Sequence, residues 1–404
     1  MAGKVVITGL GIVSSLGLDL ETTWSNLVAG RSGIGYITLF DASENQTRIA
    51  GEIPSAFEEH YKQYIKKRAA SQMTRVTKMC LVAAKDAVNH AGIDFEQMDK
   101  SRCSVIMGVV NTGNSSVEVD TTPQNTVFKS MSNAMSAWIS LDYQLMGPNY
   151  SINTACASSA YALAHGYEMI RNNQADVVIA GGADSIINKE EIAGFNALYA
   201  LSVQNDPPEE ASKPFAADRD GFVIGEGAGV IILESEESAK RRNATIYAEL
   251  AGYGLSSEGY NIMAPMKDGA GMAFTMNKAL QFTGILPDEV DYINAHGTST
   301  ELNDRYETLA IKRVFGERAS QIPISSSKSM LGHTIGAAGT IEGIITTLTV
   351  YHGIITPTIN LVNADPDLDL DYVPHTSRNK EVKIALSNSF GFGGHNATLV
   401  FRKY

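Results

Sequence analysis

Cysteine and charge are both scarce in this chain of 404 residues, and each shortage excludes a class of protein. The three cysteines, Cys80, Cys103 and Cys156, show neither metal-site spacing nor a pairing pattern. Such a chain is typical of a reducing compartment, so we expect a cytoplasmic protein without structural disulfides. Charged residues are 19% of the chain and hydrophobic residues 44%, which excludes disorder and predicts a sizeable core.

Positive charge and long hydrophobic runs are also in short supply. Lysine and arginine number 32 against 44 acidic residues, a net charge of −12, which argues against a nucleic-acid partner. The most membrane-like run, residues 341–355, is interrupted by Glu342 and His352 and is too short to span a bilayer. We therefore expect no membrane association and a buried helix there. The chain opens directly with a strand at residues 4–8, so we predict no secretory leader.

Hydrophobic periodicity predicts an α/β fold in two similar halves, residues 1–245 and 246–404, in which strands alternate with helices. Polar loops are expected at residues 111–126 and 204–213. The predicted strands are 4–8, 104–110, 150–154, 176–184 and 230–234, then 246–255, 290–295, 322–326, 383–387 and 397–402. The predicted helices are 20–28, 74–90, 133–146 and 157–171, then 269–283, 302–315 and 336–352.

The glycines that follow the first strand come close to a dinucleotide-binding fingerprint. Gly9-Leu-Gly11-Ile-Val-Ser14 has a serine where the third glycine belongs, and no acidic residue closes a second strand at the usual distance. We therefore expect no nucleotide cofactor. The glycines are predicted to form a tight turn into the helix at residues 20–28 instead.

Cys156 lies at a predicted strand-to-helix turn, in the sequence Ser151-Ile-Asn-Thr-Ala-Cys156-Ala-Ser-Ser-Ala-Tyr161. A thiol at this position is at the N-terminus of a helix, where unpaired backbone N–H groups and the helix dipole favour the thiolate. The thiolate is the form that attacks a carbonyl carbon. Cys156 is therefore a candidate nucleophile rather than a small buried hydrophobe.

Three polar, glycine-rich stretches in the second half carry further candidates. They are Asn294-Ala-His296-Gly-Thr298-Ser-Thr300, residues 325–339 with Lys328 and His333, and Asn388-Ser-Phe390-Gly-Phe392-Gly-Gly-His395-Asn396. The first follows a strand, at the end where α/β sheets place their sites. Two histidines with so little apolar sequence around them are difficult to explain by packing.

Together these four stretches make the chain resemble, almost from end to end, the elongating β-ketoacyl-[acyl carrier protein] synthases of the thiolase superfamily. The resemblance implies a five-layered αβαβα fold built from two pseudo-repeated halves and assembled as a dimer. It also implies an acyltransferase that needs no cofactor or metal, since its substrates arrive on the phosphopantetheine arm of an acyl carrier protein.

The resemblance assigns a role to each candidate. Cys156, His296 and His333 would be the catalytic set, supported by Lys328 and Glu342. The backbone N–H groups of Cys156 and the gatekeeping Phe392 would form the oxyanion hole. Thr298 and Thr300 would hold the phosphopantetheine arm, Asn111 would lie in the acyl pocket, and the carrier protein would dock on Lys66, Lys67, Arg68 and Arg75.

The residues suit a decarboxylative Claisen condensation. Cys156 would take an acyl group from its carrier, and loss of CO2 from malonyl-carrier would then leave an enolate. The enolate oxygen needs hydrogen-bond donors rather than a proton, and neutral His296 and His333 can supply them. Lys328, if protonated near His333, would disfavour a charge on that imidazole. The acyl chain would grow by two carbons.

Several departures from the family pattern bear on the substrate. His395 stands where relatives carry a small hydroxylic residue, and Glu301-Leu302-Asn303 replaces Pro-x-Gly. Asn111 stands where relatives carry an apolar residue, and the loop that follows it is short and polar. We therefore expect a type II polyketide or polyene pathway, in which such a synthase often pairs with a cysteine-lacking chain-length factor. The alternative is a homodimeric housekeeping enzyme of fatty-acid elongation.

Other members of the superfamily fit less well. A thiolase would need a second catalytic cysteine, and no cysteine follows Cys156. An initiating synthase would carry asparagine where His333 stands. A structural partner that performs no condensation would have lost Cys156, which this chain retains.

Overall fold

The computed structural model describes residues 3–111 and 123–404, and within these ranges the chain is a layered α/β protein. Its strands are β1 (Val5–Val13), β2 (Gly35–Tyr36), β3 (Ile49–Ala50), β4 (Cys103–Gly108), β5 (Asn149–Ile152), β6 (Val177–Asp184), β7 (Gly227–Ser235), β8 (Ala248–Ser257), β9 (Tyr292–Asn294), β10 (Ile324–Ser325), β11 (Ile354–Ile355), β12 (Arg378–Asn379), β13 (Ile384–Gly391) and β14 (His395–Arg402).

Its helices agree with the predicted ones to within a few residues, and short additional helices lie on the surface. They are α1 (Leu20–Val28), α2 (Phe57–His60), α3 (Lys67–Ala70), α4 (Arg75–Ala91), α5 (Pro123–Ser130), α6 (Ala134–Tyr143), α7 (Ser158–Arg171), α8 (Lys189–Ala197), α9 (Glu236–Arg241), α10 (Ala270–Thr283), α11 (Glu301–Phe315), α12 (Lys328–Leu331) and α13 (Ala338–His352).

Two five-stranded sheets with the same topology form the centre of the molecule. The strand order is β1-β7-β6-β4-β5 in one and β8-β14-β13-β9-β10 in the other, so both follow the chain order 1-5-4-2-3. In both orders the first two pairs of neighbouring strands are antiparallel and the last two pairs are parallel. A short pairing of Val6 and Ile7 with β8 joins the sheets. The predicted pair of pseudo-repeated halves is confirmed, whereas the exact division at residues 245 and 246 stays a prediction.

Helices separate and cover the sheets to give five layers. α7 and α13 pack against each other and contact strands of both sheets, whereas α4 and α6 cover the outer face of one sheet and α10 and α11 cover the outer face of the other. Three apolar clusters fill the spaces between these layers. The predicted αβαβα arrangement therefore follows from burying both faces of each sheet.

The prediction that the early glycines form a tight turn is wrong, because β1 continues through them to Val13. A Cβ atom on Gly11 would lie 1.9 Å from the carbonyl oxygen of Ala83 in α4, and one on Gly9 would lie 2.3 Å from that of Ala87. These glycines let a helix approach the strand closely, which is a common role for glycine inside a strand.

Two further predictions can be compared with the structure. α13 is buried along residues 338–350, as expected for a core helix, and among the described residues no helix has the length and apolarity needed to cross a membrane. The polar loop expected at residues 111–126 gives way to α5 at Pro123, and residues 112–122 lie outside the described part.

Candidate active site

Cys156 occupies a sharp turn between β5 and α7, as predicted. The preceding residue, Ala155, has a φ of 51°, which is unusual for a residue with a Cβ atom. The Ser158 hydroxyl holds this conformation, because it accepts a hydrogen bond from the Thr154 N–H at 2.9 Å and donates one to the Ala155 carbonyl at 2.6 Å. The strained turn presents Cys156 just before the first turn of α7.

The two predicted histidines come from the other half and meet Cys156. His296 follows β9, and His333 lies between α12 and α13. The Cys156 sulfur and one ring nitrogen of each histidine all lie within 4.8 Å of one another. The two imidazole rings are almost perpendicular, with their centroids 5.3 Å apart.

Lys328 and Glu342 form a buried ion pair directly behind the histidines. The Lys328 ammonium lies 3.4 Å from Nδ1 of His296, whereas the sequence suggested a contact with His333. Burial lowers the pKa of both His296 and His333 well below the ordinary value, and the charge of Lys328 lowers both further. Both imidazoles are therefore neutral near pH 7.

The hydrogen bonds of the histidines also fix where each carries its proton. Nδ1 of His296 faces the Lys328 ammonium, which can only donate, and Nδ1 of His333 accepts the Ile335 N–H at 3.2 Å. Nε2 must then carry the hydrogen on both rings. Nε2 of His333 is buried and has no hydrogen-bond partner in the described chain. It is a donor positioned for an acceptor that the protein itself does not supply.

The sequence predicts a thiolate at Cys156, but in the structure without substrate the thiol is favoured. Burial raises the pKa of its thiol to about 11, although the charge of Lys328 and the backbone N–H groups of Phe392 and Cys156 act in the opposite direction. Desolvation of the sulfur outweighs the helix terminus. Cys156 is therefore a thiol at rest, and its thiolate is a minor species.

A cavity of about 400 Å³ leads to these three residues. Apolar side chains line the part around Cys156, among them Val110, Phe195 and Phe222. Phe392, in the loop Gly391-Phe392-Gly393-Gly394 that joins β13 to β14, also lines the cavity and is 37% exposed. Phe392 is thus placed both at the cavity and, through its N–H, beside the sulfur.

Thr298 and Thr300 line the same cavity, where their hydroxyl oxygens are 2.9 Å apart. Arg219, which the sequence analysis did not single out, fixes the backbone beside them. Its guanidinium donates to the carbonyl oxygens of Thr300 and Glu301, both at 3.2 Å. These hydroxyls are suited to contact a polar arm that enters the cavity.

Asn111 is not among the described residues that line the cavity, and its role in the acyl pocket stays a prediction. Its side chain donates a hydrogen bond to Glu191 of α8 at 3.0 Å, and its backbone N–H donates to Asp184. Among the described residues the preceding residue, Val110, lines the cavity instead. A polar amide is better satisfied by the carboxylate than by an apolar wall.

Arg75 has a structural role in addition to the predicted docking role, which stays a prediction. It forms ion pairs with Glu58 and Glu226 at 2.7 Å, and the Glu226 carboxylate is completely buried. Lys66, Lys67 and Arg68 are exposed, as a docking surface requires. Of the four predicted docking residues, these three are the exposed ones.

Two buried carboxylates that the sequence analysis missed support the histidines. Glu307 of α11 accepts the backbone N–H groups of His296 and Gly297 at 2.9 and 2.8 Å. Asp184, at the end of β6, accepts that of Gly336, three residues beyond His333. The buried face of α11 carries Asp304, Glu307 and Ile311 at helical spacing, so acids in an apolar stripe could have indicated Glu307.

The cluster of one sulfur and two imidazole nitrogens also resembles a set of metal ligands. Zinc binds such donors when the cysteine is deprotonated. The raised pKa of Cys156 and the adjacent Lys328 charge both oppose cation binding. We therefore keep the prediction of a site that works without a metal.

Proteins similar to this chain over nearly its whole length include 3-oxoacyl-[acyl-carrier-protein] synthases and ketosynthases. 3-Oxoacyl-[acyl-carrier-protein] synthase 2 of Synechocystis sp. is 41% identical over 99% of this chain and 98% of its own length. The enzyme of the same name from Staphylococcus aureus is 40% identical over the same shares. The ishigamide ketosynthase/chain length factor has a TM-score of 0.92 and 33% identity, with both chains fully covered.

A second solved structure is a type II polyketide synthase acyl-carrier protein in complex with its ketosynthase; it matches with a TM-score of 0.89 and 32% identity over the whole of both chains. The family model of the β-ketoacyl synthase N-terminal domain matches residues 2–239, and that of the C-terminal domain matches residues 247–362. With family models across most of its length and relatives at 40–41% identity, this chain belongs to the β-ketoacyl synthases, a family of acyltransferases.

Proposed function

We propose that this chain condenses an acyl group held on Cys156 with malonyl-acyl carrier protein, giving a 3-oxoacyl-acyl carrier protein two carbons longer. The observation that carries the proposal is the convergence of Cys156 with two neutral imidazoles within 4.8 Å in one cavity. A thiol alone would support acyl transfer. The paired Nε2–H donors add what a decarboxylation needs, a site for an enolate oxygen.

In the first half-reaction the Cys156 sulfur attacks the carbonyl carbon of an acyl thioester. The N–H groups of Cys156 and Phe392, which already lower the pKa of the sulfur, are positioned to stabilise the tetrahedral oxyanion. The bond between the carbonyl carbon and the carrier sulfur then breaks. The carrier thiol leaves with the proton that Cys156 loses.

In the second half-reaction malonyl-carrier enters and its carboxylate leaves as CO2. The electron pair of the broken C–C bond passes to an enolate, whose oxygen accepts hydrogen bonds from His296 and His333. The enolate carbon attacks the acyl-Cys156 carbonyl, a new C–C bond forms, and the Cys156 thiolate is the leaving group. The thiolate then takes a proton from solvent, which restores the resting thiol. Because the histidines donate hydrogen bonds without transferring protons, their lowered pKa values suit them to the step.

Both substrates would arrive on the phosphopantetheine arm of an acyl carrier protein. The cavity and the paired hydroxyls of Thr298 and Thr300 suit such an arm. The exposed cations Lys66, Lys67 and Arg68 would attract an acidic carrier to an otherwise acidic protein. A ketosynthase structure similar to this chain contains its acyl-carrier protein, which supports the proposal.

The exposed edge of the first sheet suits a second subunit. β5 is the terminal strand and pairs only with β4 among the described strands, and its residues are exposed or half-buried. Leu141 and Met146, close by in sequence, are 67% and 73% exposed. An unpaired strand edge beside apolar side chains favours pairing with another chain. We propose a second copy of this chain, or a cysteine-lacking subunit of the chain-length-factor type.

Two pathways suit this chemistry. The departures at Asn111, His395 and residues 301–303 favour a type II polyketide or polyene pathway. Identity of 40–41% to 3-oxoacyl-[acyl-carrier-protein] synthases 2 favours fatty-acid elongation. Purified protein given saturated long-chain acyl-carrier substrates would separate them, since full activity alone favours elongation and a requirement for a partner subunit favours the specialised pathway.

The condensation is tested by incubating the protein with acyl-carrier protein and malonyl-carrier protein and following both by intact-mass spectrometry. We expect an acyl adduct on Cys156, then a carrier-bound 3-oxoacyl product with two more carbons. Cys103→Ala is the matched control and should leave both unchanged. An adduct that never proceeds to product, with every carrier protein offered, would contradict the proposal.

A further inference from the structure

The turn that follows His333 contains a residue in a strained conformation. Ile335 has a φ of 49°, a left-handed conformation that is a genuine outlier for a β-branched side chain. The N–H of this same residue donates to Nδ1 of His333 at 3.2 Å. The strained residue is thus the one that keeps the proton of His333 on Nε2. Strain of this kind persists only where the surrounding structure holds it in place.

Asp184 holds the turn on its far side. One of its carboxylate oxygens accepts the N–H of Gly336, the residue after Ile335, at 2.9 Å. A Cβ atom on Gly336 would lie 2.6 Å from that oxygen, so the contact is close enough to require glycine. On the near side the His333 N–H donates to the Val223 carbonyl at 2.7 Å. The strained segment is therefore fixed at both ends.

Asp184 is a fully buried carboxylate that is satisfied by backbone groups. It accepts the N–H groups of Val110 and Asn111 at 3.3 and 3.2 Å in addition to that of Gly336. None of the ion pairs found in the described chain includes it. Burial raises the pKa of this carboxyl to about 7, whereas the backbone N–H groups lower it, so the charged form depends on these hydrogen bonds.

We propose that Asp184 is a positioning residue for the decarboxylation step. By clamping Gly336 it keeps Ile335 in the left-handed conformation, and Ile335 in turn keeps His333 with its Nε2–H aimed into the cavity. Glu307 fixes His296 through backbone N–H groups in the same manner, so each histidine has its own buried carboxylate. The inference rests on the proposed function, because it assigns His333 to the enolate.

The first test is Asp184→Asn in the full-length protein. The amide keeps one acceptor oxygen and sets its N–H₂ group against the backbone donors on the other side, so the clamp on Gly336 is weakened with little change in volume. We expect malonyl-carrier decarboxylation to fall by about 10²-fold, as for a misplaced donor group. Acylation of Cys156, which does not use His333, should change by less than about threefold. Asp99→Asn, an exposed carboxylate that also accepts a backbone N–H, is the matched control.

The second test removes the strain instead of the clamp. Ile335→Gly adopts a positive φ without cost, so the turn no longer depends on Asp184. The double variant Asp184→Asn/Ile335→Gly should therefore decarboxylate about tenfold faster than Asp184→Asn alone, a departure from additivity that a general folding defect would not produce. With ¹⁵N-labelled histidine, His333 should lose its fixed Nε2–H form in Asp184→Asn and recover it in the double variant.

The outcomes separate the two proposals. If the unmodified protein does not decarboxylate malonyl-carrier protein, the proposed function fails. If it does, and Asp184→Asn reduces acylation and decarboxylation equally or leaves both unchanged, the role of Asp184 is wrong. Strictly additive effects of Asp184→Asn and Ile335→Gly would overturn it as well.

Discussion

The two halves of this molecule share one topology and contribute different chemistry. Both sheets follow the order 1-5-4-2-3, and in both an inner helix follows the third strand. In the first half the turn before α7 carries Cys156, whereas in the second half the segment before α13 carries His333. A duplicated scaffold thus places a nucleophile and a donor across one cavity, because the same strand end faces the centre in each half.

The edges of the two sheets differ just as clearly. β10 is fully buried: the Ile324 N–H donates to the Asp371 carbonyl, and the Thr358 hydroxyl accepts the N–H of Ser326. β5, its counterpart, is exposed or half-buried. The second half covers its own edge with the segment after α13, whereas among the described residues the first half leaves its edge uncovered, which is where we propose a second subunit.

The sharpest test of the division between the halves is a pair of alanine variants. Cys156→Ala should abolish acyl uptake and leave malonyl-carrier decarboxylation possible. His333→Ala should keep acyl uptake and lower decarboxylation by about 10²–10³-fold, the usual cost of one oxyanion donor. Labelled acyl-carrier protein and CO2 release measure the two steps separately. Acyl uptake by Cys156→Ala would contradict the assignment of the nucleophile.

The pH dependence of Cys156 alkylation tests whether the thiol from the first half and the imidazoles from the second half are neutral at rest. The pKa of the thiol is raised to about 11, so the thiolate fraction grows with pH throughout the range below 11. Iodoacetamide should therefore react about tenfold faster for each pH unit between 7 and 10. Cys80, which is completely buried, should remain unlabelled. A rate that levels off near pH 7 would indicate a thiolate–imidazolium pair instead.

Glycines at equivalent places in the two halves test whether the two sheets pack against their outer helices in the same way. A Cβ atom on Gly11 of β1 would lie 1.9 Å from a carbonyl of α4, and one on Gly254 of β8 would lie 2.3 Å from a carbonyl of α10. Gly11→Ala and Gly254→Ala should each lower the free energy of unfolding by about 1–3 kcal/mol, the usual cost of overpacking. Gly35→Ala, with open space around it, should change little. Urea unfolding measures all three.

The smallest expected effect concerns the exposed cations proposed for docking in the first half, Lys66, Lys67 and Arg68. Lys67→Glu should raise the KM for carrier-bound substrates severalfold, and the effect should fade as salt is added, because exposed charges are screened. Arg75→Gln is the comparison, since it should destabilise the fold through Glu226 without a salt-dependent change in KM. If Arg75→Gln raised the KM as much as Lys67→Glu and with the same salt dependence, Arg75 would also belong to the docking surface.

The sequence by itself determined the order of strands and helices along the chain. It also identified Cys156, His296 and His333 as candidates, which the structure brings together. Periodicity indicates which segments bury one face, and glycine-rich turns with cysteine or histidine are rare enough to carry chemical meaning. The same reasoning failed at Gly9 and Gly11, where local rules favour a turn and the packing of α4 requires a strand.

Only the tertiary structure decided which residues surround each ionisable side chain, and these surroundings set its protonation state and its hydrogen-bond partners. Desolvation by residues distant in sequence makes Cys156 a thiol at rest, against what its helix terminus suggests. Arg75 forms an ion pair because folding places the buried Glu226, 151 positions away in sequence, beside it. Asp184 and Glu307 are ordinary acids in the sequence; they acquire their roles because folding removes water and leaves backbone N–H groups of the catalytic turns as their partners.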